Sequence, residues 1–146
     1  MKKPRAVARY LSEHSKEPML LSTSQDADTL IDALASAPID RNLAQIHSLE
    51  RQSLSSGTPD HELLVGIDSL LAVGILAFMD DEHGNLVTAG PSETRSEPIY
   101  CIMGHATEFP AHSEIAIDQV RLALKEFISS GGQCPTSVIW KTAEFT

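Results

Sequence analysis

The sequence predicts an α+β fold, in which a mainly antiparallel sheet carries two principal helices packed on one face. Two segments, 26–36 and 117–128, place apolar residues at the helical period. Between them, residues 42–103 contain several short aliphatic runs separated by turn-forming clusters. A strand-rich middle flanked by two helices favours helices segregated to one face of the sheet. At 146 residues the chain is expected to be a single domain, with residues 1–16 as a loosely ordered N-terminal segment.

The first third of the chain predicts short strands and one helix. Residues 6–11 fit either a first strand or a frayed helix, and residues 19–23 predict a short strand. In the following helix, apolar residues stand at 27, 30, 31 and 34. Ser24 or Asp26 can cap its start, and Pro38 is expected to end it.

The middle of the chain predicts strands and a hairpin. Residues 62–67 and 70–79 are aliphatic runs broken at Asp68 and Ser69, and the second is expected to be central and covered on both faces. Gly74 predicts the close approach of another element. The loop at 80–85 is expected to join the second strand to residues 86–89 in a hairpin. Residues 98–103 predict a further strand.

The last third predicts the second helix and a closing strand. The helix starts near Ile117 and has one apolar stripe at positions 117, 120, 124, 127 and 128. Residues 129–132 end it, with a glycine available for a left-handed cap. Residues 136–141 predict a strand that carries the only tryptophan, Trp140. We favour a core position for this side chain over the alternative of an exposed interface anchor.

Charge is the most informative feature of the composition. The net charge is −9, and residues 60–118 contain eleven acids against one base, Arg95. Such a surface disfavours nucleic acid and anionic membranes as partners, and favours a basic protein. The alternative is a solvated acidic surface that keeps the protein soluble. Without a membrane-spanning run or a secretory signal, and with Cys101 and Cys134 expected as free thiols, the protein is predicted to be cytoplasmic.

No pattern of catalytic or cofactor-binding residues emerges. The group Cys101, His105, Glu108 and His112 matches no zinc signature. Cys101 lies in an apolar strand, where burial disfavours a reactive thiolate. The run Asp80-Asp81-Glu82 lacks the spacing of a calcium loop and fits a solvated hairpin tip better. We therefore predict a protein that is not an enzyme and holds no metal or cofactor.

The C-terminal block resembles the first immunity-protein family of bacterial polymorphic toxin systems, and the resemblance covers about residues 60–141. Upstream, residues 62–66 and 73–78 are similar to actinobacterial members of that family. The residues that carry the resemblance, which we interpret as scaffold, are Glu108, Phe109, Pro110, Gly131, Gly132, Pro135 and Trp140.

The resemblance implies a small cytoplasmic α+β protein without catalytic activity, which protects the producing cell by binding a cognate toxin. The toxins are often nucleic-acid deaminases, and a toxin acting on nucleic acid needs a basic substrate groove. Acidic loops could occupy that groove by mimicking phosphates, or the protein could cover the active-site mouth without mimicry. The candidate contacts are Asp80, Asp81, Glu82, Glu93, Glu97 and Glu108.

Two other hypotheses remain open at this point. The first is a small-molecule-binding or regulatory α+β domain that dimerises through a sheet edge. The second is an enzyme, which would need loop residues such as His105, Glu108 and His112 to converge.

Overall fold

The computed structural model describes residues 4–91 and 97–143. Two α-helices, α1 (Ser24–Ser36) and α2 (Ile117–Ser129), are joined by short 3-10 turns and strands. The 3-10 turns are Ser12–Ser15 and Ile39–Arg41. The strands are β1 (Ala6–Arg9), β2 (Met19–Leu21), β3 (Leu43–Ser48), β4 (His61–Asp68), β5 (Val73–Asp80), β6 (Gly84–Thr88), β7 (Ile99–Ile102), β8 (His105–Glu108), β9 (Ile115–Ala116) and β10 (Trp140–Thr142).

Most strands belong to one antiparallel sheet with the order β10-β6-β5-β4-β3-β1-β2, and β9 adds to the start of β5. Strands β7 and β8 form a separate two-stranded hairpin. Every pairing among the described strands is antiparallel. The predicted α+β class is therefore confirmed.

Both helices pack on one face of the sheet and form the main apolar core. Alternate residues of β4 and β5 point to this face, because side chains alternate along a strand. Helix α2 contributes the predicted stripe, of which Ile117 is only partly buried. The large core side chains are Leu21, Leu30, Ile31, Leu34, Ile46, Leu63, Val65, Ile67, Leu76, Phe78, Ile115, Val120, Leu124, Phe127, Ile128 and Val138.

The β7–β8 hairpin covers part of the opposite face and forms a second, smaller core. Its Tyr100 is fully buried and packs against Phe109, with ring centroids 5.9 Å apart. The other members of this core are Leu43, Ile75, Ala77, Val87 and Ala143. Strand β5 thus contributes to both cores, which confirms the prediction that it is covered on both faces.

The close approach predicted at Gly74 and the glycine cap predicted after α2 are both present. A Cβ added to Gly74 would lie 2.9 Å from Val120 Cγ2 of α2, so only glycine lets the helix come this close. At the end of α2, Gly131 and Gly132 have φ of 76° and 92°. Their amides donate to the carbonyls of Ile128 and Phe127 at 3.4 and 2.9 Å. This is a Schellman cap, which satisfies two carbonyls at the helix end.

The cap of α1 differs from the prediction by one residue. Thr23, not Ser24 or Asp26, is the N-cap, and its Oγ1 accepts from the Asp26 amide at 3.2 Å. The Asp26 carboxylate accepts in return from the amides of Ser22 and Thr23. Asp26 therefore completes a capping box at the third helical position.

The structure differs from the predicted strands in four places. The chain forms β8 at His105–Glu108, where we expected a loop, and the short β9 was not expected at all. The run at 70–79 becomes a strand only from Val73, because Ala72 has a φ of 57° and closes the preceding turn. The closing strand is Trp140–Thr142 instead of 136–141.

Residues 6–9 form a strand within the main sheet. Of the two alternatives for residues 6–11, the chain has the strand, β1. This strand pairs with β2 on one side and β3 on the other. Ala6 and Ala8 are buried in the main core. Residues 6–9 are thus an interior part of the sheet.

Candidate interaction surface

Asp80 ends β5 and holds the turn into β6. Its side chain is only 3% exposed. One carboxylate oxygen accepts from the His83 amide at 2.7 Å and lies 2.9 Å from His83 Nδ1. The other lies 3.3 Å from Arg51 Nη2. Burial alone would raise the pKa of Asp80, but the contacts with His83 and Arg51 outweigh it and lower the pKa.

Arg51 connects four parts of the chain at this end of the sheet. Besides Asp80, its guanidinium contacts Asp60 at 3.1 Å, just before β4. It also donates to the Gly132 carbonyl at 3.0 Å, just after α2. The loop between β3 and β4 is thereby tied to the β5–β6 turn and to the end of the second helix.

His61, the first residue of β4, extends the same network. Its Nε2 accepts from the Ser48 amide at 2.7 Å, so the ring proton lies on Nδ1, which is 2.9 Å from Asp60 Oδ1. Burial lowers the pKa of His61, against the opposing effect of Asp60. A neutral imidazole of fixed tautomer therefore holds the ends of β3 and β4 together.

The predicted contact residues fall into two groups. At the acidic hairpin, which we define as Asp80, the turn 81–83 and Gly84, the side chains of Asp81 and Glu82 are exposed. Neither makes an ion pair with any of the described residues. Glu97 and Glu108 are also exposed and lie at the open end of the β7–β8 hairpin, where Ile99 pairs with Glu108.

Glu93 lies outside the described residues. Asp80 differs from the other predicted contacts because its carboxylate is buried and already paired. The acidic hairpin thus consists of one anchoring carboxylate and two exposed ones.

A groove that the sequence did not reveal runs beside the acidic hairpin. Its volume is about 330 Å³. Glu62 and Met79 stand side by side in it, because they are paired across β4 and β5. The one available signal was a lone carboxylate in the aliphatic run 62–67. The full lining, which we call the Glu62 groove, is Leu54, Pro59, Asp60, His61, Glu62, Met79, Asp80 and Asp81.

Within residues 4–91 and 97–143, the histidines and Cys101 near the β7–β8 hairpin do not converge on a metal site. One other group has its ligand atoms within 4.8 Å of one another, namely Asp80, Glu82 and His83. The Arg51 guanidinium already contacts this Asp80 carboxylate and opposes a second cation there.

Both cysteines are free and partly buried. Burial, together with the negative charges of Asp80, Glu126 and Glu82, raises the pKa of Cys134 to about 11. The Cys134 thiol is therefore almost entirely protonated at neutral pH, which disfavours a nucleophilic role.

The landmarks of the C-terminal block make internal contacts. Trp140 is half-buried, and its indole N–H donates to the Pro135 carbonyl at 2.7 Å. Its ring lies 6.4 Å from that of Phe78. The Pro110 carbonyl accepts from the Ser113 hydroxyl, and Phe109 is buried in the second core.

The model of the family described as "Immunity protein Imm1" matches residues 15–142 of this chain. The chain belongs to the Imm1 family. Imm1 proteins are immunity proteins, so the partner of this chain is a cognate toxin, which it neutralises. The match begins well upstream of residue 60, and so includes residues 15–59, which the resemblance at 60–141 did not cover.

Comparison with solved structures gives a weaker relation. A crystal structure of a hypothetical protein from Neisseria gonorrhoeae is 13% identical, with a TM-score of 0.43. The alignment covers 93% of this Imm1 chain and 94% of that chain. A similarity this low carries no argument about fold or function. No curated protein matches the chain, and none of its described helices is long and apolar enough to cross a membrane.

Proposed function

We propose that this Imm1 protein neutralises a nucleic-acid deaminase toxin in the cytoplasm by binding over its basic substrate groove, without catalysis of its own. The single observation that supports this mode is the construction of the acidic hairpin. Asp81 and Glu82 are exposed at its tip, while Asp80 beneath them is fixed by Arg51 and His83.

A fixed turn matters for affinity because binding need not then order the loop. A flexible acidic loop would lose conformational entropy when it meets the toxin. In this protein the hydrogen bond from the His83 amide to Asp80 closes the turn before binding. The two exposed carboxylates are thus held ready to take the place of substrate phosphates.

We assign different roles to the candidate contacts, on the basis of their burial and pairing. Asp81 and Glu82 are the contact residues of the hairpin, and Asp80 positions them. Glu97 and Glu108 form a second exposed acidic site on the β7–β8 hairpin, and Glu93 remains a candidate contact. We expect an interface of standard size, on the order of 800 Å² per partner.

The contact assignment is tested with Asp81→Asn combined with Glu82→Gln, a change that keeps side-chain size and removes two charges. The binding partner is the cognate toxin domain in an inactivated form. We expect the on-rate at low salt to fall about tenfold, because exposed charges act mainly by steering. The control, Glu13→Gln with Glu17→Gln, removes two exposed charges from the N-terminal region.

Unchanged affinity and on-rate in the hairpin variant would show that the hairpin does not contact the toxin. Co-expression of active toxin with the wild-type chain tests neutralisation itself, and cells that die in spite of the chain would refute it. Deamination of a nucleic-acid substrate by the isolated toxin domain tests the toxin class. A toxin without that activity would refute the deaminase assignment.

A further inference from the structure

The Glu62 groove contains a carboxylate that has no cation partner among residues 4–91 and 97–143. Of the four carboxylates along it, those of Asp60 and Asp80 are paired with Arg51. Glu62 makes no ion pair with any residue in the described part of the chain, and the Gln45 side-chain amide is its hydrogen-bond partner.

Glu62 is also partly withdrawn from water. It is half-buried on β4, beside Met79 of β5. Burial raises the pKa of Glu62, against the smaller lowering effect of Gln45. A partly buried carboxylate without a counter-charge is unfavourable by itself, and becomes favourable when a cation with matching geometry reaches it.

The rest of the groove suits a long basic side chain. Its apolar lining comes from Leu54, Pro59 and Met79, and Asp81 stands at the hairpin side. Lysine and arginine bury their methylene stems on apolar surface while the charged head meets polar groups. The arrangement therefore provides an apolar bed for the stem and a carboxylate for the head.

We propose that the Glu62 groove receives one arginine or lysine side chain of the toxin, which pairs with Glu62 when the complex forms. This inference rests on the proposed function, because a toxin that binds nucleic acid supplies basic side chains at its substrate groove. The exposed contacts of the acidic hairpin are thus joined by a second kind of contact, an anchor that is desolvated when the complex forms.

The anchor and the hairpin are expected to differ in kinetics. Exposed charges change mainly the on-rate, whereas loss of a desolvated, hydrogen-bonded charge pair changes mainly the off-rate. With the inactivated toxin domain as the partner, we expect Glu62→Gln to raise the off-rate about tenfold or more and to leave the on-rate within about twofold. The control Glu17→Gln removes one exposed charge and is expected to change neither.

The free protein provides a second measurement. Because Glu62 has no cation partner among the described residues, Glu62→Gln is expected to leave the urea midpoint unchanged or to raise it. A lowered midpoint would show that Glu62 stabilises the fold, and would overturn the inference. An off-rate equal to that of the wild type, or a loss confined to the on-rate, would overturn it as well.

A double-mutant cycle then identifies the partner side chain. Each arginine and lysine at the toxin's groove is replaced by alanine, and each variant is measured against wild type and Glu62→Gln. We expect one of them to show coupling with Glu62, and coupling with none would refute the anchor.

A different result would refute the proposed function itself, namely a wild-type chain that does not bind the toxin at all. Sedimentation of the free protein tests a second copy of this chain as the occupant. If the wild-type protein is a dimer and Glu62→Gln makes it monomeric, the occupant of the Glu62 groove is a neighbouring subunit and not a toxin side chain.

Discussion

The Arg51 guanidinium and the Asp80 carboxylate meet at 3.3 Å, although the two residues are 29 positions apart in the sequence. The contact joins the β3–β4 loop to the acidic hairpin. It also neutralises the one carboxylate of that hairpin whose side chain is buried. The exposed acids Asp81 and Glu82 therefore stand on a turn whose own charge is balanced.

Removal of Arg51 is expected to destabilise the protein strongly. In Arg51→Ala, the Asp80 carboxylate stays buried without its cation, which costs on the order of 3 kcal/mol of unfolding free energy. Urea denaturation at pH 7 measures the loss. Arg41→Ala is the control, because its contact with Asp40 is 4.0 Å long and solvent-exposed. That variant is expected to lose less than about 0.5 kcal/mol, and equal losses would contradict the prediction.

Gly132 is expected to tolerate no side chain. An added Cβ would lie 2.4 Å from Ser48 Cβ, and φ is 92°. Gly57 has a similar φ of 88°, but nothing lies within 4 Å of its added Cβ. Gly57→Ala is thus expected to cost about 1 kcal/mol from backbone strain alone. Gly132→Ala should cost at least about 2 kcal/mol more, because overpacking adds to the strain. Thermal or urea unfolding measures the loss of unfolding free energy in each variant, and equal losses would contradict the prediction.

Acid is expected to destabilise the protein through His47. Burial, with repulsion from Arg9 and from His61 when that ring is protonated, lowers the pKa of His47 from 6.5 to about 4. Between these two pKa values the unfolded chain binds a proton at His47 and the folded chain does not. The contribution of neutral His47 to the unfolding free energy is therefore complete above pH 6.5 and is lost as pH falls toward 4. Between pH 7 and pH 5 we expect a loss of about 1 kcal/mol, less than the full linkage value because the ring is partly exposed.

The comparison for His47 is His47→Asn, measured by urea unfolding at several values of pH between 7 and 5. This variant keeps the other titrating groups, including His61, whose pKa is also lowered. The difference in stability between wild type and variant should shift in the variant's favour as pH falls. A constant difference would show that His47 is not responsible.

Cys134 is expected to react slowly with alkylating reagents. With its pKa raised to about 11, its thiolate fraction at pH 8 is on the order of a hundredfold below that of an ordinary cysteine. In Cys101→Ser, iodoacetamide modification followed by mass spectrometry reports on Cys134 alone. Unfolding in urea should restore the ordinary rate. Equal rates in the folded and unfolded protein would contradict the prediction.

The helices could be predicted because their signals are local. The stripe in α2, the glycines after it and the apolar period of α1 all lie within one segment. Strand β8 could not be predicted, because its side chains are polar and largely exposed and it exists through pairing with β7. The closing strand starts late for a similar reason. The Glu126 carboxylate accepts from the amides of Thr136 and Ser137, and so holds that stretch against α2.

The candidate surface was predictable only in part. The acids of the hairpin follow from composition and turn pattern. The different role of Asp80 depends on Arg51, a distant residue whose position the fold alone determines. The Glu62 groove depends on strand register, since Glu62 meets Met79 through the pairing of β4 with β5.

The position of β1 has a consequence for synthesis. Residues 6–9 are made early, but their place is between β2 and β3, so their second partner follows only at 43–48. Strand β6 likewise waits for β10 at 140–142. A chain emerging from the ribosome thus carries unpaired strands until nearly all of the described residues have been translated. The nascent protein is most exposed to misassociation in that interval, and its main sheet is complete only after β10 has been made.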